Sequence, residues 1–384
     1  MRIAILTGGG DVPGLNPCIK ALVVHASRLG WDAVGLRRGW GGALNLNPDD
    51  PDSVAAHVQD LTVAAVRPID RQGGTVLHTS RTNPGRVSKS DLPDFLDPPA
   101  LPEADGRFDC TAHVLRVLEF LKIDAVVAIG GDDTLSYAVR LAHEGVRVMA
   151  CPKTMDNDVF GTDFCIGFGT AVSRSVELID ALRSPTDSHE RIAVIELFGR
   201  NSGEMALMSG YLAGADRVVI SEVPVDAARL AELIMQDKAA NPGNSAVIVV
   251  SEGARLEGGE VIESGAPDPY GHRKLGGIGQ IIGEDLKRRT GQGIVNQSLA
   301  YLMRAGPPVA LDRMVASAFG TMTIQALDGG ERNLMMSLQA GNYTTVPIDT
   351  CVSGKKRVDV DALYDRTAYR ANIRQVLGKP LFLY

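Results

Sequence analysis

The sequence predicts an α/β fold of two similar lobes, with mostly parallel sheets flanked by helices. Three observations carry that expectation. Short apolar runs alternate with helical periodicity along most of the chain, the pattern of parallel strands joined by crossover helices. At 384 residues the chain is long for one hydrophobic core. Its 42 glycines exceed the usual share of about 7%, and such an excess collects in strand-to-helix turns.

Taken in order, residues 2–6 read as a buried strand, followed by the turn Gly8-Gly9-Gly10-Asp11-Val12-Pro13-Gly14. A helix is predicted over 16–29, where Ile19, Leu22, Val23 and Ala26 fall at helical spacing. Residues 33–36 form a second strand that ends at Arg37-Arg38-Gly39-Trp40. The stretch 82–109 is rich in Pro, Asp and Ser and reads as a surface insertion. Helical spacing returns over 110–121, and a buried strand follows at 124–129. Further strands are predicted at 146–151, 192–197, 217–220 and 246–250. Further helices are predicted at 170–182, 203–212, 227–236, 279–289 and 312–327. No repeat, low-complexity tract or Gly/Ser linker marks a hinge, so the lobes are expected to be closely joined.

Composition excludes several classes of function. A formal net charge of -7 argues against bulk nucleic-acid binding, although a local basic pocket is compatible with it. No apolar run reaches the roughly 18 residues that a membrane span requires. An apolar strand begins at once with no cleavable leader, and a cytoplasmic protein is expected. The five cysteines lie apart without a C-x-x-C pair, which suits reduced thiols better than disulfides or zinc.

The chemistry concentrates in two stretches, 125–134 (AVVAIGGDDT) and 151–158 (CPKTMDND). They bring Asp132, Asp133, Asp156 and Asp158 onto two loops that follow buried strands. Carboxylates so placed repel one another unless cations lie between them, and Mg²⁺ with a polyphosphate is the natural occupant. The turn after the first strand matches neither G-x-G-x-x-G nor G-x-x-x-x-G-K-[ST]. It is either a phosphate cradle or a tight strand-to-helix turn. Asp133 or Thr134 alone could equally cap a helix.

Gly130-Gly131-Asp132-Asp133 resembles the GGDG turn of the phosphofructokinase family, and Pro152-Lys153-Thr154-Met155-Asp156-Asn157-Asp158 resembles its PKTIDND signature. The resemblance extends through the opening LTGGGDVPGLN, Gly73-Gly74-Thr75 with Ser80-Arg81-Thr82-Asn83-Pro84, Phe198-Gly199-Arg200, Ser251-Glu252-Gly253 and Tyr270-Gly271-His272. It implies a phosphofructokinase-like fold with the active site between the lobes. The donor lobe would take 1–167 with a return at about 303–353, and the sugar-phosphate lobe 168–302 with a tail at about 354–384. The activity implied is reversible transfer from pyrophosphate to the 1-hydroxyl of fructose 6-phosphate, serving glycolysis and gluconeogenesis, by a homo-oligomer (dimer or tetramer). Asp156 would be the base, Thr154 would position the phosphoryl group, and Asp132 and Asp158 would hold Mg²⁺. Arg81 and the Gly10 amide would neutralise the transferred group, with Gly131, Asp133 and Lys153 on the donor. Arg191, Phe198, Gly199, Arg200, Glu252, Tyr301 and Arg304 would join Thr154 and Asp156 on the acceptor.

Two positions speak to the donor. ATP-using members carry glycine where this chain has Asp133 and Lys153. A salt link between these two would fill the space of a nucleotide, which points to pyrophosphate; ATP-dependent phosphofructokinase stands as the alternative. On the acceptor side, Val295, Tyr301 and Met303 stand where the family has arginine, histidine and glutamine. His272, Arg273, Lys274 or Tyr301 could compensate, or the acceptor could be a longer sugar phosphate such as sedoheptulose 7-phosphate. A non-catalytic subunit is a further alternative. Trp40 lies near the donor or is a packed turn aromatic. Cys151 reads as a small buried hydrophobe, and His189 and Glu190 as surface groups.

Overall fold

The computed structural model describes residues 1–96, 106–265, 267–373 and 377. Its strands in chain order are β1 (Arg2–Thr7), β2 (Asp32–Leu36), β3 (Val58–Asp60), β4 (Ala125–Gly130), β5 (Val148–Pro152), β6 (Ile192–Leu197) and β7 (Arg217–Val219). Then come β8 (Ala246–Ser251), the short pair β9 (Glu263–Ser264) and β10 (Lys274–Leu275), β11 (Ile294–Ser298), β12 (Leu334–Gln339), β13 (Asn342–Pro347) and a second short pair, β14 (Tyr364–Asp365) and β15 (Arg370–Ala371). The first sheet runs β13-β12-β5-β4-β1-β2-β3, and the second β11-β6-β8-β7. From β12 to β2 the first sheet is parallel, with β13 and β3 antiparallel at its edges. The second sheet is parallel throughout.

Parallel strands covered on both faces are apolar on both, and β1 and β4 follow that rule. Along β1, Ile3 and Ile5 enter one buried cluster while Ala4 and Leu6 enter another, the period of two that a strand imposes. The first cluster continues without a break into the second sheet, through Phe319, Ile195 and Val249. Chain order reverses at β1, which has β2 on one side and β4 on the other. Loops leaving β1 and β4 therefore diverge and open a crevice at their carboxyl ends.

Two buried polar or glycine positions hold the helices behind that crevice. Asp312, on the helix Ala310–Asp328, accepts hydrogen bonds from the Gly167 amide (2.8 Å) and the Thr170 amide (2.6 Å). A carboxylate there complements the N-terminus of the helix Phe168–Ser188, although burial pushes Asp312 up to about 6. The same Ala310–Asp328 helix crosses Leu15–Arg28 at Gly320, where a Cβ would stand 2.8 Å from the Cys18 carbonyl.

The expected strands at 192–197 and 246–250 form, and the others shift by a residue or two at their ends. The helix expected over 170–182 continues to Ser188, through Pro185. The hydrogen bond that Pro185 forgoes is to the carbonyl of Ala181, an exposed residue that water can serve. β11, β12 and β13 carry no clear period-two signal in the sequence; Leu334–Gln339 is composed of good helix formers and is a strand because β5 and β13 flank it. Of the insertion expected at 82–109, residues 97–105 lie outside the described residues, as do 374–376 and 378–384 of the tail. The flanks of the insertion are tied together by Val87 pairing with Phe108, over a small core with Leu44 and Cys110.

Gly320→Val should wedge the two helices apart and lower unfolding stability by about 1–3 kcal/mol, the usual cost of overpacking. Urea unfolding of the variant against the parent checks it; an unchanged midpoint would show that the helices absorb the added volume.

Candidate active site

The carboxyl ends of β1, β4 and β5 face those of β6, β8 and β11 across a cleft of about 1130 Å³. After β1 the chain turns tightly enough that the Gly8 amide donates to the Ile129 carbonyl (3.0 Å) and the Gly9 amide to the Ser80 carbonyl (2.9 Å). Gly9 adopts a φ of +78°, and a Cβ there would press on Lys153 Nζ at 3.2 Å. At Gly10 a Cβ would lie 2.7 Å from an Arg304 nitrogen. The turn is thus bare backbone held between two cations. After β4, Gly131 leads into the helix Asp132–His143, whose first turn holds Asp132 and Asp133 in the favourable field of its N-terminus.

The loop after β5 is anchored by Asn157. Its φ of +55° is a left-handed conformation that asparagine tolerates better than other non-glycine residues. Its side chain donates to the Asp163 carbonyl and to Glu204, both at 2.9 Å, and accepts from the Cys165 amide at 2.8 Å. With Asn157 fixed, Asp156 and Asp158 have nowhere else to turn. Asp158 accepts from Asn201 Nδ2 at 3.3 Å. One oxygen each of Asp132 and Asp156 is buried without a partner.

Crowding of acids shows in their protonation. Burial and then the charge of Asp158 push Asp132 up to about 7, with Lys355 working the other way. Burial, Asp158 and Glu252 hold Asp156 well above the usual carboxylate range. Glu252 reaches about 7, chiefly through burial, although Arg200 opposes the rise. Among the described residues no group of three or more acidic, histidine or cysteine side chains forms a closed metal cage. The orphaned Asp132 oxygen beside Asp158 suits a hard divalent cation bound by one or two carboxylates, water and a phosphate ligand.

Lys153 faces those acids across the turn. It is buried, its Nζ donates to the Gly10 carbonyl at 2.6 Å, and burial followed by the charge of Arg304 lowers it to about 8. Arg304 lies under the Tyr301 ring (4.3 Å), 5.8 Å from the Phe198 centroid and 3.7 Å from Asp11. Arg81 stands 3.6 Å from Asp268. Three cations, Lys153, Arg304 and Arg81, therefore surround the Gly9–Gly10 backbone, a setting for an anion.

Of the residues singled out from sequence, Arg81, Gly10, Gly131, Asp132, Asp133, Lys153, Thr154, Asp156, Asp158, Phe198, Arg200, Glu252, Tyr301 and Arg304 all line the cleft. Gly199 lies beneath it, where a Cβ would meet Ser251 at 2.5 Å. Arg191 is not brought there. It precedes β6 at the end of the sheet away from the cleft and packs by Gly293. The expected Asp133–Lys153 salt link does not form either. Asp133 pairs with His272 (3.1 Å), while the Gly10 carbonyl takes the lysine. His272 is accordingly engaged by Asp133 rather than turned toward β11. Arg304 also leans toward Gly10 and Asp11 rather than toward β11. Trp40 is a packed turn aromatic, donating to the Thr134 carbonyl (3.0 Å) with Tyr137 edge-on. Asn201 and Lys355 are new to the list. A basic run at 355–357 was the available signal for Lys355, and Asn201, directly after Arg200, had none.

Residues 2–327 match the family model described as phosphofructokinase. The chain belongs to the phosphofructokinase family. A pyrophosphate–fructose 6-phosphate 1-phosphotransferase of Amycolatopsis mediterranei is 36% identical over 363 residues, covering 94% of this chain and 97% of the relative. An ATP-dependent 6-phosphofructokinase of Chloroflexus aggregans is 35% identical over 90% of each chain. The fold is also that of a pyrophosphate-dependent phosphofructokinase from Nitrosospira multiformis, with a TM-score of 0.75 at 17% identity over 97% of this chain and 89% of that one.

Glu252 gives a pH test of the cleft. Its folded value near 7 exceeds the free value near 4.5, so the folded chain holds a proton that the unfolded chain has released between those pH values. Its contribution therefore favours folding below about pH 4.5 and fades as pH rises to about 7. Glu252→Gln should flatten the fall of melting temperature across that window; parallel slopes for parent and variant would contradict the assignment.

Proposed function

We propose that this phosphofructokinase transfers a phosphoryl group reversibly between pyrophosphate and the 1-hydroxyl of fructose 6-phosphate, yielding fructose 1,6-bisphosphate and phosphate. The observation that carries the reading is Lys153, an ammonium group buried in the cleft and bonded to the Gly10 carbonyl at 2.6 Å. A compact diphosphate meets that charge directly, whereas a nucleotide needs the volume.

In this mechanism the sugar oxygen attacks the phosphorus, the bridging P–O bond breaks, and phosphate leaves with the bond's electrons. Asp156 takes the hydroxyl proton; its raised affinity for protons makes it an effective base. The Thr154 hydroxyl accepts the Asp156 amide at 3.1 Å, which leaves its own O–H to donate to an oxygen of the moving group. Arg81, Arg304 and the Gly10 amide counter the charge gathering there. Asp132 and Asp158 would hold Mg²⁺, directly or through water, and when bound it neutralises phosphate charge. Arg200 and Glu252 address the sugar phosphate from the second sheet. The two lobes of the reading are 1–167 with 303–353, and 168–302 with the tail.

A second reading differs in the acceptor. The cleft wall from β11 is Asn296, Gln297 and Ser298, with no charge to grip a terminal phosphate. With Val295 and Tyr301 in place of the expected arginine and histidine, a longer sugar phosphate such as sedoheptulose 7-phosphate, its terminal phosphate held elsewhere, is the second candidate acceptor.

One coupled assay crossing pyrophosphate and ATP with both acceptors tests all of this. Pyrophosphate with fructose 6-phosphate should be fastest; turnover with ATP alone overturns the donor assignment, and faster reaction of the heptulose supports the second reading. Asp156→Ala should lower kcat by roughly 10²–10⁴. Near-normal turnover of that variant would remove Asp156 as the base.

A further inference from the structure

The segment Pro267–His272 crosses the cleft on the donor side, and nothing in the reaction described above uses it. Its shape is set by Asp268, whose carboxylate accepts from the amides of Tyr270 and His272, both at 3.0 Å. The Asp268 amide donates to the His272 carbonyl, and the Gly271 amide to the Asp268 carbonyl, each at 2.8 Å. Gly271, at a φ of +89°, makes that tight turn possible. From this small closed loop two side chains project. Tyr270 donates its hydroxyl to the Thr82 carbonyl at 2.9 Å, beside Arg81. His272 Nε2 lies 3.1 Å from the Asp133 carboxylate. The loop is held from outside by the insertion, as Arg107 donates to the Pro269 carbonyl at 2.6 Å.

We propose that Tyr270 and His272 form a bar from Thr82 to Asp133 that admits a donor of two phosphates and excludes one of three, with His272 as the donor-selecting residue. This deepens the pyrophosphate reading and rests on it. A third phosphate, with or without a nucleoside, must displace the tyrosine from Thr82 and the imidazole from Asp133. It then meets the Asp133 carboxylate with its partner removed, charge against charge. Two phosphates end at Lys153 and leave the bar intact. The insertion thereby gains a part as the outer brace of the bar.

The test compares kcat/KM for magnesium pyrophosphate, magnesium tripolyphosphate and MgATP in the parent enzyme, Tyr270→Phe, His272→Gln and the double variant Tyr270→Ala/His272→Ala. The parent should strongly favour pyrophosphate over tripolyphosphate. The double variant should narrow that preference by about tenfold or more, a size typical of one steric element in a binding site. Tyr270→Phe keeps the ring but cuts its bond to Thr82, and should narrow the preference by less than the double variant. His272→Gln should move in the same direction as the double variant by a smaller factor, and serves alone if the double variant does not fold. An unchanged ranking in His272→Gln and in any folded double variant, with pyrophosphate turnover retained, overturns the bar. A parent enzyme that prefers ATP to pyrophosphate sinks the donor reading itself, before any variant is measured.

Discussion

Mutual repulsion of buried carboxylates is the constraint around which this chain is arranged. β4 and β5 are parallel neighbours, roughly 4.8 Å apart, so acids at their carboxyl ends cannot separate. Asp132 rides the start of a helix, and Asp156 and Asp158 are locked by the left-handed Asn157 between them. The chain answers with partial remedies: a helix dipole, the Asn201 amide, and Lys355 from a distant segment. None of these satisfies the orphaned oxygens of Asp132 and Asp156. The remaining imbalance favours a cation and, beyond it, an anion cradled by Lys153, Arg304 and Arg81.

That arrangement explains what the sequence could and could not reveal. The acids, Lys153 and the glycine turn sit in contiguous motifs, because each loop follows its own buried strand. Their meeting is a consequence of strand order, which the α/β alternation implies. The partner of Asp133 was not legible. His272 lies far along the chain, and the competition between it and Lys153 was decided by burial. An ammonium group enclosed beside Gly10 bonds the nearest carbonyl, leaving the half-exposed aspartate to the imidazole. Arg191 stands apart from this chain's own cleft because it precedes β6, at the amino end of a parallel sheet, whereas the cleft lies at the carboxyl ends.

Arg304 shows the same logic at the level of electrostatics. Where the resemblance leads one to expect arginine, histidine and glutamine the chain has Val295, Tyr301 and Met303, and the remaining arginine, Arg304, stacks under Tyr301 and leans across the cleft. Aromatic contact holds the guanidinium where Coulomb repulsion from Lys153 would otherwise drive it away. The Gly10–Asp11 end of the cleft thus holds the charge that the β11 end lacks. Relatives of comparable identity bear both pyrophosphate- and ATP-dependent names, so overall similarity does not choose between donors. In the reading proposed above, that choice falls to individual side chains at the turn.

The apolar cluster that runs unbroken from the first sheet into the second has a further consequence. Swinging one half of the molecule against the other would disturb the packing of that shared cluster, so such motion costs buried apolar contact. A slot braced in this way has less freedom to surrender when a ligand arrives, and shape at the rim weighs more in what it accepts.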